Sequence, residues 1–522
     1  MNNHKNNCYE KLLKILLIDC GHVKYGWNEP LGIEVLSASI KNKFDDRVEV
    51  EMTSVLFDGI PREIVGYDVV MISGNIQDND RMHQILSQIV DTDSLAVVGG
   101  VYPTISAEIL LKKYNDLICV IGEGEIATNQ ILSVLMDGKD IRKELESIKN
   151  IAYLSPEGMI KYTERESLDL SDVHYLPERK YTKNILERGG LARAETSRGC
   201  GWNKCSFCIL LWKYGGAKWR TYPLGKVFKE IVELSKLGAR KIEFTDEDFI
   251  GNDADRLSSF IKGIKQLKES GEISGDLEFL ASTGVLSIWN ILKLLPDLLP
   301  DLKSIGFGGF FIGIESGSKM QLQRYNKGVT PEMNRRVIEM LKDNDMLLDC
   351  GFIFFDPKMT LEEVKENIDF IERTGIEDMT ARLAKKLRII PHTEYCEEMG
   401  FDETAINEDS LSIPYKFDDE RIEKIVNDID REFKDVLDDM HEIQSSIRAE
   451  NVSQMNDKEK ENYLKKQDDL KKQRKREIEM IKTMAEAIDN DQHTNDIVDS
   501  ESGGKVTDFA GERDNAEREF NS

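Results

Sequence analysis

Five short apolar runs punctuate the first 150 residues: KILLID (14–19), VEVEMTS (48–54), DVVMISG (68–74), LAVVGG (95–100) and LICVIGEG (117–124). Amphipathic stretches of about a dozen residues separate them, the pattern of strands joined by helices. Strands connected in this way lie parallel, with helices on both faces, so residues 1–150 are expected to form a doubly wound α/β domain. A second series starts at LARAETS (191–197) and continues through KIEFTDEDF (241–249), DLEFLAS (276–282), FFIGIESG (310–317), CGFIFF (350–355) and ARLAKKLRI (381–389). Helix starts fall between these runs: Thr330 precedes Pro331, and Thr360 with Glu363 has the spacing of a capping box. Residues 151–190, with SPEG at 155–158 and Gly189–Gly190, carry turn chemistry and little periodicity, and are expected to be a connector.

Beyond residue 400 the period lengthens. Ile422, Ile425, Val426, Ile429, Phe433, Val436, Leu437, Met440 and Ile443 recur at helical spacing, predicting a long amphipathic helix from Asp418 to Ile443. A second, richer in Lys and Glu, spans about Asp457 to Ile488, so residues 401–488 read as a helical hairpin or loose coiled coil. Residues 489–522 are polar and are expected to be a disordered acidic tail.

A chain of 522 residues exceeds one compact core and calls for two or three domains. Its formal charge of −26 argues against a nucleic-acid binder, which needs a basic footprint. No apolar run reaches the roughly 18 to 20 residues of a membrane span, and the start does not read as a signal peptide, so a cytoplasmic protein is expected. Cys8, Cys20, Cys119, Cys350 and Cys396 are scattered and read as free thiols.

The chemistry concentrates in ETSRGCGWNKCSFC (195–208), where Cys200, Cys205 and Cys208 lie within nine residues. Three thiolates this close suit one metal centre. No fourth Cys or His lies nearby to close a tetrahedral zinc cage, whereas a 4Fe-4S cluster held by three thiolates keeps one iron open. Glycines at the strand ends of the first domain, Gly32 after Leu31, Gly74, Gly99, Gly100, Gly122 and Gly124, mark the edge where doubly wound folds bind ligands.

The cysteine segment resembles the cluster loop of radical S-adenosylmethionine (SAM) enzymes, with C-x4-C-x2-C in place of the usual C-x3-C-x2-C; TSRGC and Phe207 resemble the subset that also carries cobalamin. The resemblance implies a partial (β/α)6 barrel over 191–400, preceded by a cobalamin-binding-like sheet and followed by the helical extension. It implies a 4Fe-4S cluster on Cys200, Cys205 and Cys208, and SAM contacts from Phe207, Asp246, Asp248, Glu315, Ser316, Gly351 and Ile353. PLG (30–32), Ser73-Gly74, VGGVYPT (98–104) and GEGE (122–125) resemble the cobalamin loops. They imply contacts from Leu31, Gly32, Ser73, Gly74, Gly99, Gly100, Tyr102, Pro103, Thr104, Gly122, Glu123, Gly124 and Glu125. Asp19, His22 and Gly26 only approximate the D-x-H-x-x-G string that supplies a cobalt ligand elsewhere, so cobalamin without a protein histidine is implied. His392 stands where many relatives have glycine in Pro-Gly-Thr, leaving open a general base or a loop residue.

The activity implied is methyl transfer to an unactivated carbon of a peptide or small molecule through a 5'-deoxyadenosyl radical, with an electron donor such as flavodoxin or ferredoxin. Radical cyclisation or rearrangement with the same cofactors is the alternative. A zinc-stabilised protein without catalysis is the second.

Overall fold

The computed structural model describes residues 12–21, 28–90, 92–376, 385–433 and 456–489. Strands β1 (Leu13–Asp19), β2 (Val48–Ser54), β3 (Val69–Ser73), β4 (Leu95–Gly99) and β5 (Ile118–Val120) form a parallel sheet in the order β2-β1-β3-β4-β5. The alternation along β1 explains both layers. Leu13, Ile15 and Leu17 pack with Ile33, Ile40 and Phe44 of the helix Leu31–Phe44, and with Ile131 and Leu132 of the helix Gly124–Met136. Leu16 and Ile18 point the other way, onto Met82, Ile85 and Leu86 of the helix Asn79–Ile89 and Leu110 of the helix Val101–Lys113. Apolar residues on both faces of one strand are what a sheet covered by helices on both sides requires.

The sheet does not stop at residue 150. Strands β6 (Ile151–Leu154) and β7 (Ile160–Tyr162) add an antiparallel hairpin beside β5, so the stretch expected to be a connector begins as part of the first sheet. Ala152, paired with Cys119, is fully buried, and this local hydrophobic gain outweighs the turn-rich composition around it.

The second unit is built on β8 (Ala192–Ala194), β11 (Lys241–Phe244), β12 (Glu278–Gly284), β13 (Phe307–Glu315) and β14 (Leu347–Phe352), parallel and adjacent in chain order. A small antiparallel pair, β9 (Ser197–Arg198) with β10 (Arg220–Thr221), sits beside it. Of the expected sixth strand, 381–384 lie outside the described residues. The rest continues the sheet by one parallel bridge, Lys386 to Phe355, with the Lys385 carbonyl accepting from the amides of Phe354 and Phe355. Phe244, Phe249, Phe260, Phe279, Phe307 and Phe310 stack through the core. The caps behave as their sequences predict: Thr330 accepts from the Met333 amide, and Thr360 and Glu363 cap reciprocally.

Of the first C-terminal helix, residues 420–433 are described; the second runs Asp457–Asp489. Ile422, Ile425, Ile429 and Phe433 join Ile478, Ile481 and Met484 in the same core as the barrel strands. Residues 401–417, expected within the helical extension, instead form an irregular strap held by the bridges Ile389 to Ile413 and Asn407 to Ser412. Its Glu408 reaches back to the first sheet, accepting from Tyr102 at 2.5 Å and pairing with His83 at 2.6 Å. Val436, Leu437, Met440, Ile443, His22, Gly26 and the tail from residue 490 lie outside the described residues.

Candidate functional site

The carboxyl ends of both sheets face one cavity of about 520 Å³. Leu17, Asp19, Met71, Ser73, Val97, Gly99 and Val120 line it from the first sheet; Arg193, Glu195, Arg198, Thr245 and Glu247 line it from the second. Ile209, Leu210, Lys213 and Tyr214, which directly follow Cys208, complete the wall. Two sheets that each open at their carboxyl ends thus share a single ligand space.

The cysteine loop is pinned at every turn. The Gly199 amide donates to Glu247 (3.0 Å), the Gly201 amide to Asp248 (3.0 Å), and the Ser206 amide to the Tyr325 carbonyl (2.9 Å). Trp202 Nε1 donates to the Asn326 carbonyl at 2.7 Å. The additional residue of the C-x4-C spacing is absorbed where Asn203 adopts a left-handed backbone, φ 48°, and its amide nitrogen donates to the Ala217 carbonyl. Burial pushes the thiols of Cys200, Cys205 and Cys208 each up to about 11, and each sulfur lies within electrostatic reach of another of the three. Among the described residues no three His, Cys, Asp or Glu side chains converge on a single-ion position.

The acidic residues at the end of β11 divide between interior and cavity. Asp246 and Asp248 share a face, as alternation predicts, but that face is turned inside. Asp246 accepts from the Thr196 amide (2.7 Å), Thr196 Oγ1 (2.5 Å) and Ser197 Oγ (2.7 Å), and burial pushes its carboxyl up to about 7. Asp248 accepts from the amides of Gly201 and Gly251 and from Thr283 Oγ1 (2.8 Å) and Ser287 Oγ (2.6 Å). Neither leaves an oxygen for a ligand; both brace the cysteine loop against the barrel. Glu247, between them, faces the cavity, paired with Lys213 (2.7 Å) and Tyr214 (2.5 Å). Burial would raise it, but Lys213 holds its carboxyl below the usual range.

Glu315 sits at φ 65°, where the pairing of β13 with β14 slips by a residue, and this bulge turns its carboxylate toward Lys327 (2.9 Å). Phe207 packs edge-on against Tyr325 with centroids 5.1 Å apart, and Ile353 belongs to the same apolar cluster. Gly351 lies on β14, where a Cβ would come within 3.1 Å of Phe311. Ser316 is fully buried, its hydroxyl spent on Gln321 and Asn367, so it shapes the turn without facing open space.

Of the residues expected around the corrin, Leu31, Gly32, Ser73, Gly99, Gly100, Thr104, Gly122, Glu123, Gly124 and Glu125 line the cavity. Gly74 lies beneath Gly100, Tyr102 is buried against His83 of the helix 79–89 and Glu408 of the strap, and Pro103 is buried within the helix Val101–Lys113. Two acids of GEGE are already engaged. Glu123 binds Arg198 (2.8 Å) and Arg220 (3.0 Å), and Glu125 binds Arg198 (2.8 Å), tying β5 to the β9–β10 pair. Gly122, at φ 82°, admits the Lys213 carbonyl so closely that a Cβ would lie 2.0 Å from it. That glycine serves the seam between units. His392 stacks on Trp212 at 4.3 Å, and its amide donates to Glu403; burial pulls its imidazole below the ordinary value.

Sequence reasoning passed over Arg198, Arg220, Lys213, Glu247 and Lys327. Arg198 had a signal, an arginine two residues before the first cysteine in a chain with a paired-acid loop elsewhere. Lys327 had none, because only the fold brings it to the cysteines.

The sequence model of the Radical SAM superfamily matches residues 194–371. The chain carries a radical SAM domain. Across 328 residues it is 29% identical to 4'-phospho-dehydrooxetanocin synthase of Priestia megaterium, a match covering 59% of this chain and 43% of that relative. The chain thus spans less than half the length of that relative. The solved structure of the cobalamin-dependent S-adenosylmethionine radical enzyme OxsB, with aqua-cobalamin and SAM bound, superposes with a TM-score of 0.75 at 20% identity over 90% of this chain and 72% of that one. The methyltransferase TsrM from Kitasatospora setae, solved with cobalamin and a [4Fe-4S] cluster, superposes with a TM-score of 0.59 at 16% identity over 74% of this chain and 77% of that one. At these identities the likeness is one of fold. All strands of the first sheet precede residue 194, and a superposition covering 90% of this chain must take in most of that region as well.

The residues present fit the groups such a domain implies. Buried thiols with raised pKa remain protonated near neutrality unless a cation takes the charge, which is what cluster irons supply. The cavity combines an apolar wall of Leu17, Ile33, Leu36 and Met71 with small residues at Gly32, Ser73 and Gly99, where a Cβ at Gly32 would meet nothing closer than 4.0 Å. Such a floor admits the flat face of a large ligand. Among the described residues no helix is long and apolar enough to cross a membrane.

Proposed function

We propose that the protein is a cobalamin-dependent radical SAM methyltransferase, with a 4Fe-4S cluster on Cys200, Cys205 and Cys208, that methylates an unactivated carbon of a peptide or small molecule. The shared cavity carries this reading. The cysteine loop runs without a break into Ile209, Leu210, Lys213 and Tyr214, which line the same space as Leu31, Gly32, Ser73, Gly99 and Gly100. A substrate held there would lie between the segment that follows Cys208 and the strand ends of the first sheet.

When bound, the cluster with SAM supplies one-electron chemistry and cobalamin a transferable methyl group. The chain itself holds and orients. Asp246 and Asp248 fix the cysteine loop, while Glu315, Phe207, Gly351 and Ile353 border the space for SAM. Leu31, Gly32, Ser73, Gly99, Gly100, Thr104 and Gly124 form the cradle for cobalamin, and the buried arginine seam keeps water out of the joint between units. OxsB, the neighbour of highest TM-score given above, binds both cobalamin and SAM, which supports pairing the two seats here. A cytoplasmic one-electron donor such as flavodoxin or ferredoxin completes the system.

The test is anaerobic reconstitution with iron, sulfide and cobalamin, followed by turnover with methyl-labelled SAM on candidate peptides and small molecules. Label in the product supports methyl transfer. Deoxyadenosine release with an unlabelled, cyclised or rearranged product replaces it with the alternative chemistry. A colourless, iron-free, zinc-containing protein overturns the reading.

A further inference from the structure

Two charged side chains of opposite sign stand against the cysteine loop, Asp248 by Cys200 and Lys327 by Phe207. Asp248 is fully buried, with its Oδ2 at 3.8 Å from Cys200 Sγ. All its other partners donate to it: the Gly201, Gly251 and Gly284 amides, Thr283 Oγ1 and Ser287 Oγ. An environment made only of donors is what an ionised carboxylate, an acceptor at both oxygens, satisfies. Lys327 has its ammonium paired with Glu315 at 2.9 Å and stands 6.0 Å from the ring of Phe207, the residue just before Cys208. Its chain neighbours Tyr325 and Asn326 accept from the Ser206 amide and from Trp202 Nε1, which seats Lys327 against the part of the loop that carries Cys205 and Cys208. Burial opposes its charge, yet Glu315 holds Lys327 above the usual lysine range.

We propose that the cluster seat is electrostatically polarised, with Asp248 as an anion beside Cys200 and Lys327 as a cation beside Cys205 and Cys208, and that these two positioning residues set the potential at which the cluster is reduced. The inference rests on the reading of the three cysteines as cluster ligands. Reduction adds one electron from an external donor and therefore one negative charge to the seat. A neighbouring cation stabilises that charge and raises the midpoint; a neighbouring anion lowers it. In a buried site these terms are not screened away by salt. Lys327 eases the entry of the electron on the side of Cys205 and Cys208, while Asp248 repels it from the side of Cys200. The geometry also explains the glycine at position 313 of β13: a Cβ there would lie 2.3 Å from Glu315 Oε1 and 2.8 Å from Lys327 Nζ.

The experiment is a redox titration with dithionite, followed by EPR, on the reconstituted full chain without SAM, comparing wild type with Lys327→Met, Lys327→Arg, Glu315→Gln and Asp248→Asn at matched iron and sulfide content. The expected result is a more negative midpoint for Lys327→Met, a midpoint close to wild type for Lys327→Arg, and more positive midpoints for Glu315→Gln and Asp248→Asn. If Asp248→Asn does not assemble a cluster, the opposite shifts of Lys327→Met and Glu315→Gln carry the test. Unmoved midpoints, or shifts of one sign in both, overturn this inference and leave the cluster reading intact. A wild-type chain that assembles no cluster overturns both.

Discussion

Acidic residues close two strands of the barrel, β11 and β13, and the fold uses them in opposite ways. At the end of β11, Asp248 is surrounded by backbone amides and hydroxyls that cannot move, so its carboxylate is saturated and structural. At the end of β13, Glu315 has as its hydrogen-bonded partner the ammonium of one flexible lysine. A carboxylate held by fixed donors builds a site, whereas one held by a single side chain is free to change partners when a ligand arrives. Across the seam between units three carboxylates that line the cavity are all engaged: Glu123 and Glu125 by Arg198, and Glu247 by the Gly199 amide, Lys213 and Tyr214.

The contrast breaks most sharply at Asp248. Replacing it with Ala strands three amides and two hydroxyls, and at about 1 to 3 kcal/mol for each unpaired buried group, partly relieved by relaxation, a loss of roughly 4 kcal/mol or more is expected in chemical denaturation. Arg198→Met comes next: it leaves Glu123, Glu125 and Glu195 facing one another, and breaking a buried pair costs about 3 to 5 kcal/mol. Limited proteolysis at the joint between units should accelerate in that variant.

Asp19, at the end of β1, sharpens the comparison through pH. Burial pushes its carboxyl up to about 6 against hydrogen bonds from the Gly21 amide and Ser54 Oγ. Because its pKa is raised on folding, the folded chain binds the extra proton between about pH 4 and 6. Its contribution is complete below that window and lost as pH rises through it, a fall of about 3 kcal/mol. Asp19→Asn should flatten this part of the stability profile measured by denaturant titration.

Glu315→Gln is expected to cost only about 1 kcal/mol of stability, since an amide still accepts from Lys327. It should nevertheless weaken SAM retention by roughly tenfold or more in equilibrium dialysis, one lost interaction of about 1.4 kcal/mol. The smallest effect belongs to Lys482, whose half-exposed pair with Glu372 joins the C-terminal helix to the barrel. Lys482→Ala should change stability by at most about 1 kcal/mol.

Much of this protein was legible in one dimension. The strands of the first sheet announced themselves because burial on both faces demands unbroken apolar runs, and the cysteine loop because its ligands are neighbours in the chain. The hairpin at 151–162 and the strap at 401–417 were not, since each is stabilised by partners far away in sequence: Cys119 for the one, His83 and Tyr102 for the other. Alternation correctly grouped Asp246 with Asp248, but no local rule says which of two faces looks into a cavity.

The sequence by itself determined the covalently local features: the order of strands and helices, the caps, the glycines at the strand ends, and three thiols on one loop. These depend on interactions over a few residues and on the periodicity of burial. Only the tertiary structure decided which acids became braces, which cation stands by the cysteines, and that both sheets open onto the same space. Those outcomes depend on electrostatic and packing partners that the chain separates by a dozen to hundreds of residues and that meet only in the folded protein.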